Sequence, residues 1–385
     1  MCAASSAQLG LLDHTRLLGC ELVRRGVDVS LITRAPLSVD APIPTQIVSR
    51  WDAVGVNSLV RAAVAHQPDV VLLQYVPNMF HRRGITIVPA LLTWSLKASG
   101  ISVVPVIHEA YMPLAEHASW VVQGLAQRLM LLVMIACCQA VVVTTRAIAA
   151  AVRPWLGWPA KRVTAIAVGS NLPAMPLTAV ERAQMRQRLG LAADELMLVF
   201  FGSLHPSKLF GWVLSAAAAV QDRPVRLVAV GPTAAEVSQY RTDARTSVVA
   251  DRTFALGLRP ADEAARILAA ADLALLPFVD GATNHRGSLM AVLSNAVPVV
   301  STIGPDTDPE LAEAGLALTR INDQPAFTAK VRYLVANEAE RCRLAAAGKR
   351  LYEREYAWPV IAGQLLTWLG ATLPATLPAG VAGGL

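Results

Sequence analysis

The chain has 385 residues, a net charge of +6 and a pI near 9.3, and is 54% hydrophobic against 16% charged. Its longest apolar run, residues 129–143, is broken by Gln139 and falls short of the roughly 20 apolar residues a spanning helix needs, which excludes an integral membrane protein. The basic residues are scattered and lack interleaved aromatics, which argues against nucleic acid and leaves an anionic ligand or an acidic membrane surface.

The length predicts two domains. Five cysteines, Cys2, Cys20, Cys137, Cys138 and Cys342, show no metal spacing and fit a reducing cytoplasm. The first ten residues have neither the basic start nor the apolar centre of a signal peptide, and they make a poor buried strand. Either the start is late or the first domain tolerates a rudimentary first strand. Residues 13–25 then read as a helix with Leu17, Leu18, Leu22 and Val23 on one face and Gly26 closing it.

A strand follows over 27–33, and from there strands alternate with helices, the pattern of parallel sheets covered by helices. Strands are predicted over 70–73, followed by Gln74, Tyr75, Pro77 and Asn78, and over 102–107, followed by His108 and Glu109. A helical region at 112–136 leads to strands at 140–144 and 163–168, then Gly169, Ser170 and Asn171. Pro173 and Pro176 mark the boundary between a first domain, 1–171, and a second, 172–356. In the second, strands over 196–201 and 225–230 are followed by Gly202, Ser203, His205 and Lys208, and by Gly231. Helices fill 209–220, 324–354 and 359–369, and the turn-rich tail 371–385 reads as disordered.

Residues 271–302 carry the densest signal. An apolar strand (274–277) runs into a polar loop with Gly281, then a helix (288–293) and a second strand (297–302). Ligands of open parallel sheets sit beyond the carboxyl ends of strands. Arg286, Gly287 and Ser288 fall at a helix start, where free N–H groups and the helix dipole favour an anion. Polar or glycine residues also end the strands of both halves: Gln74, His108, Ser170 and Asn171 in the first, Lys208, Gly231 and Arg286 in the second.

In this order the segments DHTRLLGCELVRRGVDVSLITR, PDVVLLQYVPNMFHRRGI, VVPVIHEAY, VTAIAVGSN, FFGSLHPSK and PFVDGATNHRGSLMAVLSNAVPVVST resemble the family 4 glycosyltransferases over residues 10–370. The resemblance implies the α/β GT-B architecture, two facing Rossmann-like domains with a cleft between them, the 359–369 helix packing back on the first. It implies that Lys208 and the Arg286, Gly287, Ser288 helix start bind the diphosphate of a nucleotide-sugar donor; Ser203 and Gly231, at strand ends of the same half, are further donor-binding candidates. His108 corresponds to a histidine near the transferred sugar, and Glu109 is a candidate for acceptor orientation or base. Gly10, Gln74, Ser170 and Asn171 are further cleft candidates, Gly10 being what remains of the family's amino-terminal glycine-rich loop. The sequence departs from the family where a pair of acidic residues is usual: those positions hold Thr283 and Ala291, and the usual Arg before the Lys is Ser203.

The expected function is transfer of a sugar from a nucleotide diphosphate donor to a hydroxyl acceptor in polysaccharide or glycolipid assembly, with no cofactor and no metal, and with retention implied by the family. The expected partners are the donor and a glycan or lipid-linked acceptor, in the cytoplasm or peripherally at the inner membrane face. The rival is a non-catalytic homologue that binds nucleotide or glycan, or partners another transferase.

Overall fold

The computed structural model describes residues 1–2, 9–37, 42–112, 118–156, 162–240, 247–250 and 253–373. Residues 113–117 of the predicted helical region and 374–385 of the predicted tail lie outside the described residues. The chain divides into two compact units, Met1–Val168 with Trp358–Leu385, and Gly169–Ala357.

The first unit runs α1 (Leu9–Arg24), β1 (Leu31–Thr33), β2 (Thr45–Ile47), α2 (Val56–Val64), β3 (Val70–Tyr75), α3 (Pro77–Phe80), α4 (Val88–Ala98), β4 (Ser102–Ile107), α5 (Ala118–Ala136), β5 (Val141–Val143), α6 (Arg146–Leu156) and β6 (Val163–Ala165). All its strand pairs are parallel. The rudimentary first strand is a bridge: the Cys2 N–H donates to Ile32 O at 2.9 Å and the Gln74 N–H to Met1 O at 3.0 Å, so residues 1–2 join β1 to β3. The order is therefore β2, β1, residues 1–2, β3, β4, β5, β6, a doubly wound arrangement. The predicted strand over 27–33 shortens to three residues, Leu31–Thr33, paired on one side with β2, a three-residue exposed edge, and on the other with the bridge at Cys2.

The second unit runs α7 (Ala179–Arg188), β7 (Leu196–Phe201), α8 (Phe210–Ala218), β8 (Val225–Val230), α9 (Ala234–Ser238), β9 (Phe254–Gly257), α10 (Ala261–Ala269), β10 (Leu273–Leu276), α11 (Gly287–Ser294), β11 (Val299–Ile303), α12 (Pro309–Glu313), β12 (Ala317–Arg320), α13 (Gln324–Ala336) and α14 (Glu338–Leu351), then a π-helical turn, Tyr352–Tyr356. The long helix expected at 324–354 is broken at Asn337, whose extended φ of −115° ends α13 and starts α14. Its sheet has the order β12-β11-β10-β7-β8-β9, all parallel, so the direction of winding reverses between β7 and β10. Asp272 anchors the amino end of this sheet. Its carboxylate accepts from Arg182 at 2.5 Å, Arg186 at 2.7 Å and the Met197 N–H at 2.7 Å.

The first unit closes with α15 (Trp358–Thr372). Its two sheet faces bury separate cores. One holds Leu59, Leu92, Leu96, Leu131, Met134 and Ile135 from α2, α4 and α5. The other holds Leu18 and Leu22 of α1 with Ile361, Leu365 and Leu369 of α15 over Val104, Val106 and Val142.

Candidate functional site

In the second unit, β7 ends at Phe201 and Gly202 takes a φ of +100°, open to glycine and strained for other residues. A Cβ there would collide with Lys208 Nζ and lie 3.5 Å from Ser288 Cβ. Gly231, at the end of β8 with φ +117°, has Gly202 O only 2.8 Å from its missing Cβ. Two bare glycines thus let two strand ends and one ammonium share a small space. Lys208 Nζ donates to Phe201 O at 3.1 Å and sits 5.3 Å from the Phe200 ring centre. Burial, aided by the charge of Arg286, lowers its pKa to about 8.

The loops after β7 and β10 are joined as a ribbon. The Leu209 N–H donates to Pro277 O and the Val279 N–H to Ser207 O, each at 3.0 Å, with Lys208 and Phe278 forming an antiparallel bridge. Arg286 completes the ribbon: Nη1 donates to Ser207 Oγ at 2.9 Å, Nη2 pairs with Asp280, and the guanidinium carbon lies 4.9 Å from the Phe278 ring centre. One oxygen of Asp280 and Nε of Arg286 are buried with no hydrogen-bond partner. Arg286 is also the N-cap of α11 and no side chain caps that helix, so the Gly287 and Ser288 N–H groups have no carbonyl of their own helix to donate to. Asn171 Oδ1, buried and without a partner, is 3.7 Å from where Gly287 would carry a Cβ.

Two cations, a helix start and unsatisfied polar atoms therefore meet beyond the carboxyl ends of β7 and β10, at the winding reversal where α/β sheets hold ligands. Lys208, Arg286, Gly287, Ser288, Gly231 and Asn171 come together there. Ser203 is an exposed residue after Gly202. Ser170 is buried in a turn, its hydroxyl donating to Leu172 O at 2.7 Å and its N–H to Tyr352 Oη at 3.3 Å. Gly202, Ser207 and Asp280 join the site without having been candidate site residues, although Gly202 stood at a strand end and Asp280 opened the polar loop of the 271–302 stretch. Thr283 is buried with its hydroxyl 3.3 Å from His285 Nδ1, and Ala291 is fully buried in α11.

In the first unit, Gln74 and His108 meet: Gln74 Oε1 is 2.7 Å from His108 Nε2, and the His108 N–H donates to Tyr75 O at 3.0 Å. His14, from the buried face of α1, packs edge-on to His108 at 4.6 Å and lies 5.2 Å from Trp358. Burial lowers its pKa to about 4. His14 was missed in the sequence, although a histidine one turn from Leu18 on an apolar face was the available signal. Glu109 follows His108 as an exposed residue. Gly10 requires a correction, since it lies not in a loop but in the first turn of α1, exposed, with nothing within 4 Å of a Cβ. Helix-favouring Leu9, Leu11 and Leu12 start the helix earlier than Asp13. Among the described residues no group of three or more His, Cys, Asp or Glu could hold a metal.

No protein-family model matches the chain, and neither does any curated protein sequence. Solved structures do. HepE from Anabaena in complex with UDP-glucose is 16% identical over 95% of this chain and 96% of that one, with a TM-score of 0.69. A glycosyltransferase from Rickettsia africae is 10% identical over 96% and 97%, with a TM-score of 0.73. WaaG, a glycosyltransferase involved in lipopolysaccharide biosynthesis, is 15% identical over 92% and 95%, with a TM-score of 0.64. The likeness is one of fold. It spans nearly the whole of each chain, and the fold is the α/β, GT-B type with parallel sheets that the sequence implied.

Proposed function

We propose that the chain is a divergent family 4 glycosyltransferase that moves a sugar from a nucleotide diphosphate donor to a hydroxyl of a glycan or lipid-linked acceptor. One observation carries this reading: Lys208 and Arg286 converge on the uncapped start of α11 at the winding reversal of the second sheet. As the bond from the anomeric carbon to the phosphate oxygen breaks, negative charge grows on the diphosphate. Two fixed cations and a helix N-terminus stabilise that charge at little cost in reorganisation. The acceptor oxygen bonds to the anomeric carbon and its proton leaves to a base, for which Glu109 and His108 are the candidates.

Arg286 already holds Asp280, so a diphosphate exchanges with that carboxylate for the guanidinium. Ser203, Gly231, Ser288 and Asn171 complete the proposed donor site. No cofactor or metal is assigned a role. Retention of configuration rests on the family resemblance; placement in the cytoplasm or at the inner membrane face rests on the cysteine spacing and the net charge of +6.

The non-catalytic reading has its own support, because the positions where the family pairs two acids hold buried Thr283 and Ala291. Calorimetric titration with nucleoside diphosphates and their sugar conjugates, with Lys208→Ala and Arg286→Ala alongside, separates the two. The transferase reading expects saturable binding weakened at least tenfold in either variant, and slow donor turnover with an acceptor. Tight nucleotide binding without turnover supports the rival. A folded protein that binds no nucleotide overturns both the donor site and the reading built on it.

A further inference from the structure

A histidine stands beside the two cations of the second unit. His205 is exposed, and an exposed imidazole is free to hydrogen-bond water at both ring nitrogens. Here Nδ1 is held by its own turn: it lies 2.8 Å from Ser207 Oγ and accepts the Ser207 N–H at 3.2 Å. The Lys208 N–H closes the turn by donating to His205 O at 2.8 Å, and Pro206 fills the second position, where its fixed φ suits a turn. Asn, Asp and Ser commonly open such turns by accepting the N–H two residues on. His205 does the same with a ring nitrogen.

A backbone N–H can only donate, so Nδ1 accepts and the neutral ring carries its proton on Nε2. A serine hydroxyl can donate or accept. With an acceptor 2.8 Å away, the Ser207 proton turns to His205, which leaves the Oγ lone pairs to Arg286, whose Nη1 donates to Oγ at 2.9 Å. Imidazole, hydroxyl and guanidinium thus run in line from the loop after β7 to the start of α11. The same turn sets where the Lys208 main chain leaves, and from there Nζ reaches back to Phe201 O at 3.1 Å. Arg and Lys have much rotamer freedom to lose on binding an anion, and contacts that fix them beforehand lower that cost. Arg286 is held by Ser207 and Asp280. Once a diphosphate displaces the carboxylate, the Ser207 hydroxyl is the contact that keeps Nη1 in place.

We propose that His205 is a positioning residue of the donor site, which through the Ser207 N–H and hydroxyl sets the places of both Lys208 and Arg286 before the diphosphate arrives. The proposal rests on the donor site of the transferase reading and adds to it a residue that acts through others.

The test titrates uridine diphosphate and inorganic pyrophosphate into the full chain and into His205→Leu, His205→Asn, Ser207→Ala, Arg286→Ala and Ser207→Ala/Arg286→Ala, each shown to be folded by circular dichroism. His205→Leu is expected to weaken both ligands about tenfold, the worth of a hydrogen bond to a charged group. His205→Asn, whose side-chain oxygen takes the place of Nδ1, should bind to within about twofold of wild type. Ser207→Ala should weaken binding in the wild-type background and change nothing further in Arg286→Ala, because its hydroxyl acts through that guanidinium.

A second measurement needs no ligand. The pH dependence of Lys208 acetylation, read by mass spectrometry, reports the Lys208 pKa, which burial and then Arg286 hold at about 8. In His205→Leu it should rise towards the ordinary lysine value as Nζ leaves Phe201 O, and in His205→Asn it should stay. Four results overturn the proposal: His205→Leu binding like wild type, His205→Asn binding as weakly as His205→Leu, a Ser207→Ala effect undiminished in Arg286→Ala, and Lys208 titrating alike in wild type and His205→Leu. A folded wild-type chain that binds neither ligand removes the donor site, and the Lys208 titration then decides the positioning claim by itself.

Discussion

Lys208 Nζ occupies the space in which residue 202 would carry a Cβ. The pair is thus a steric relationship as much as an electrostatic one. Gly202→Ala adds a methyl at φ +100° and evicts the ammonium from Phe201 O. A destabilisation of about 1–3 kcal/mol is expected from backbone strain and the lost contact. Nucleoside diphosphate affinity should fall at least tenfold, read by thermal melting and calorimetry on the same sample.

Lys208 has a lowered pKa of about 8, from burial first and Arg286 second. A bound diphosphate favours the charged form, so binding near and above pH 8 must take up a proton. Affinity is therefore expected to be flat below pH 7 and to fall as pH rises through 8. Titrations at pH 7, 8 and 9 in buffers of different ionisation enthalpy measure both effects, and a pH-independent Kd would remove Lys208 from the diphosphate.

Two histidines make the fold sensitive to mild acid. Burial lowers His14 to about 4; burial and then the Arg286 charge lower His285 to about 4. A folded-state pKa below the unfolded value means the unfolded chain binds more protons between pH 4 and 6.5. Their contribution is fully present above pH 6.5 and is lost as pH falls towards 4, by at most about 3 kcal/mol for each ring. His14→Gln should flatten the first unit's part of this loss, checked by urea melts from pH 4 to 7.5.

Asp272 is a carboxylate whose contribution is lost in the same direction, as pH falls through its lowered folded-state pKa. Burial raises its carboxyl, but the Met197 N–H, Arg186 and Arg182 together outweigh that and hold it below the usual range. Asp272→Ala removes the carboxylate partner of Arg186 and Arg182 and leaves the Met197 N–H without its side-chain acceptor. It is expected to cost about 3–5 kcal/mol, the range for breaking a buried ion pair, seen as a lowered urea midpoint of the second unit.

Continuous apolar runs made the central strands legible. Residues 102–107, 196–201 and 225–230 begin and end where the sequence suggested, and a polar or glycine residue, His108, Gly202 or Gly231, follows each run. The edge strands Thr45–Ile47, Phe254–Gly257 and Ala317–Arg320 escaped, being three or four residues long and partly solvated, with no run to detect. Around the candidate site, Lys208 and Arg286 stood out by residue type. Their pairing through Ser207, Phe278 and Asp280 depends on two loops meeting across the sheet, which no local pattern encodes.

The second core of the first unit is built from both ends of the chain. On the ribosome, Val104, Val106, Val142 and Ile166 emerge with Leu18 and Leu22 of α1 to cover them, and wait while the whole second unit is made before Ile361, Leu365 and Leu369 arrive. At about 5–20 residues per second that interval lasts on the order of 10–40 s. The unit encoded in the middle can finish folding first, and the one that opens the chain is completed last, after a period in which its uncovered sheet face is a target for chaperones.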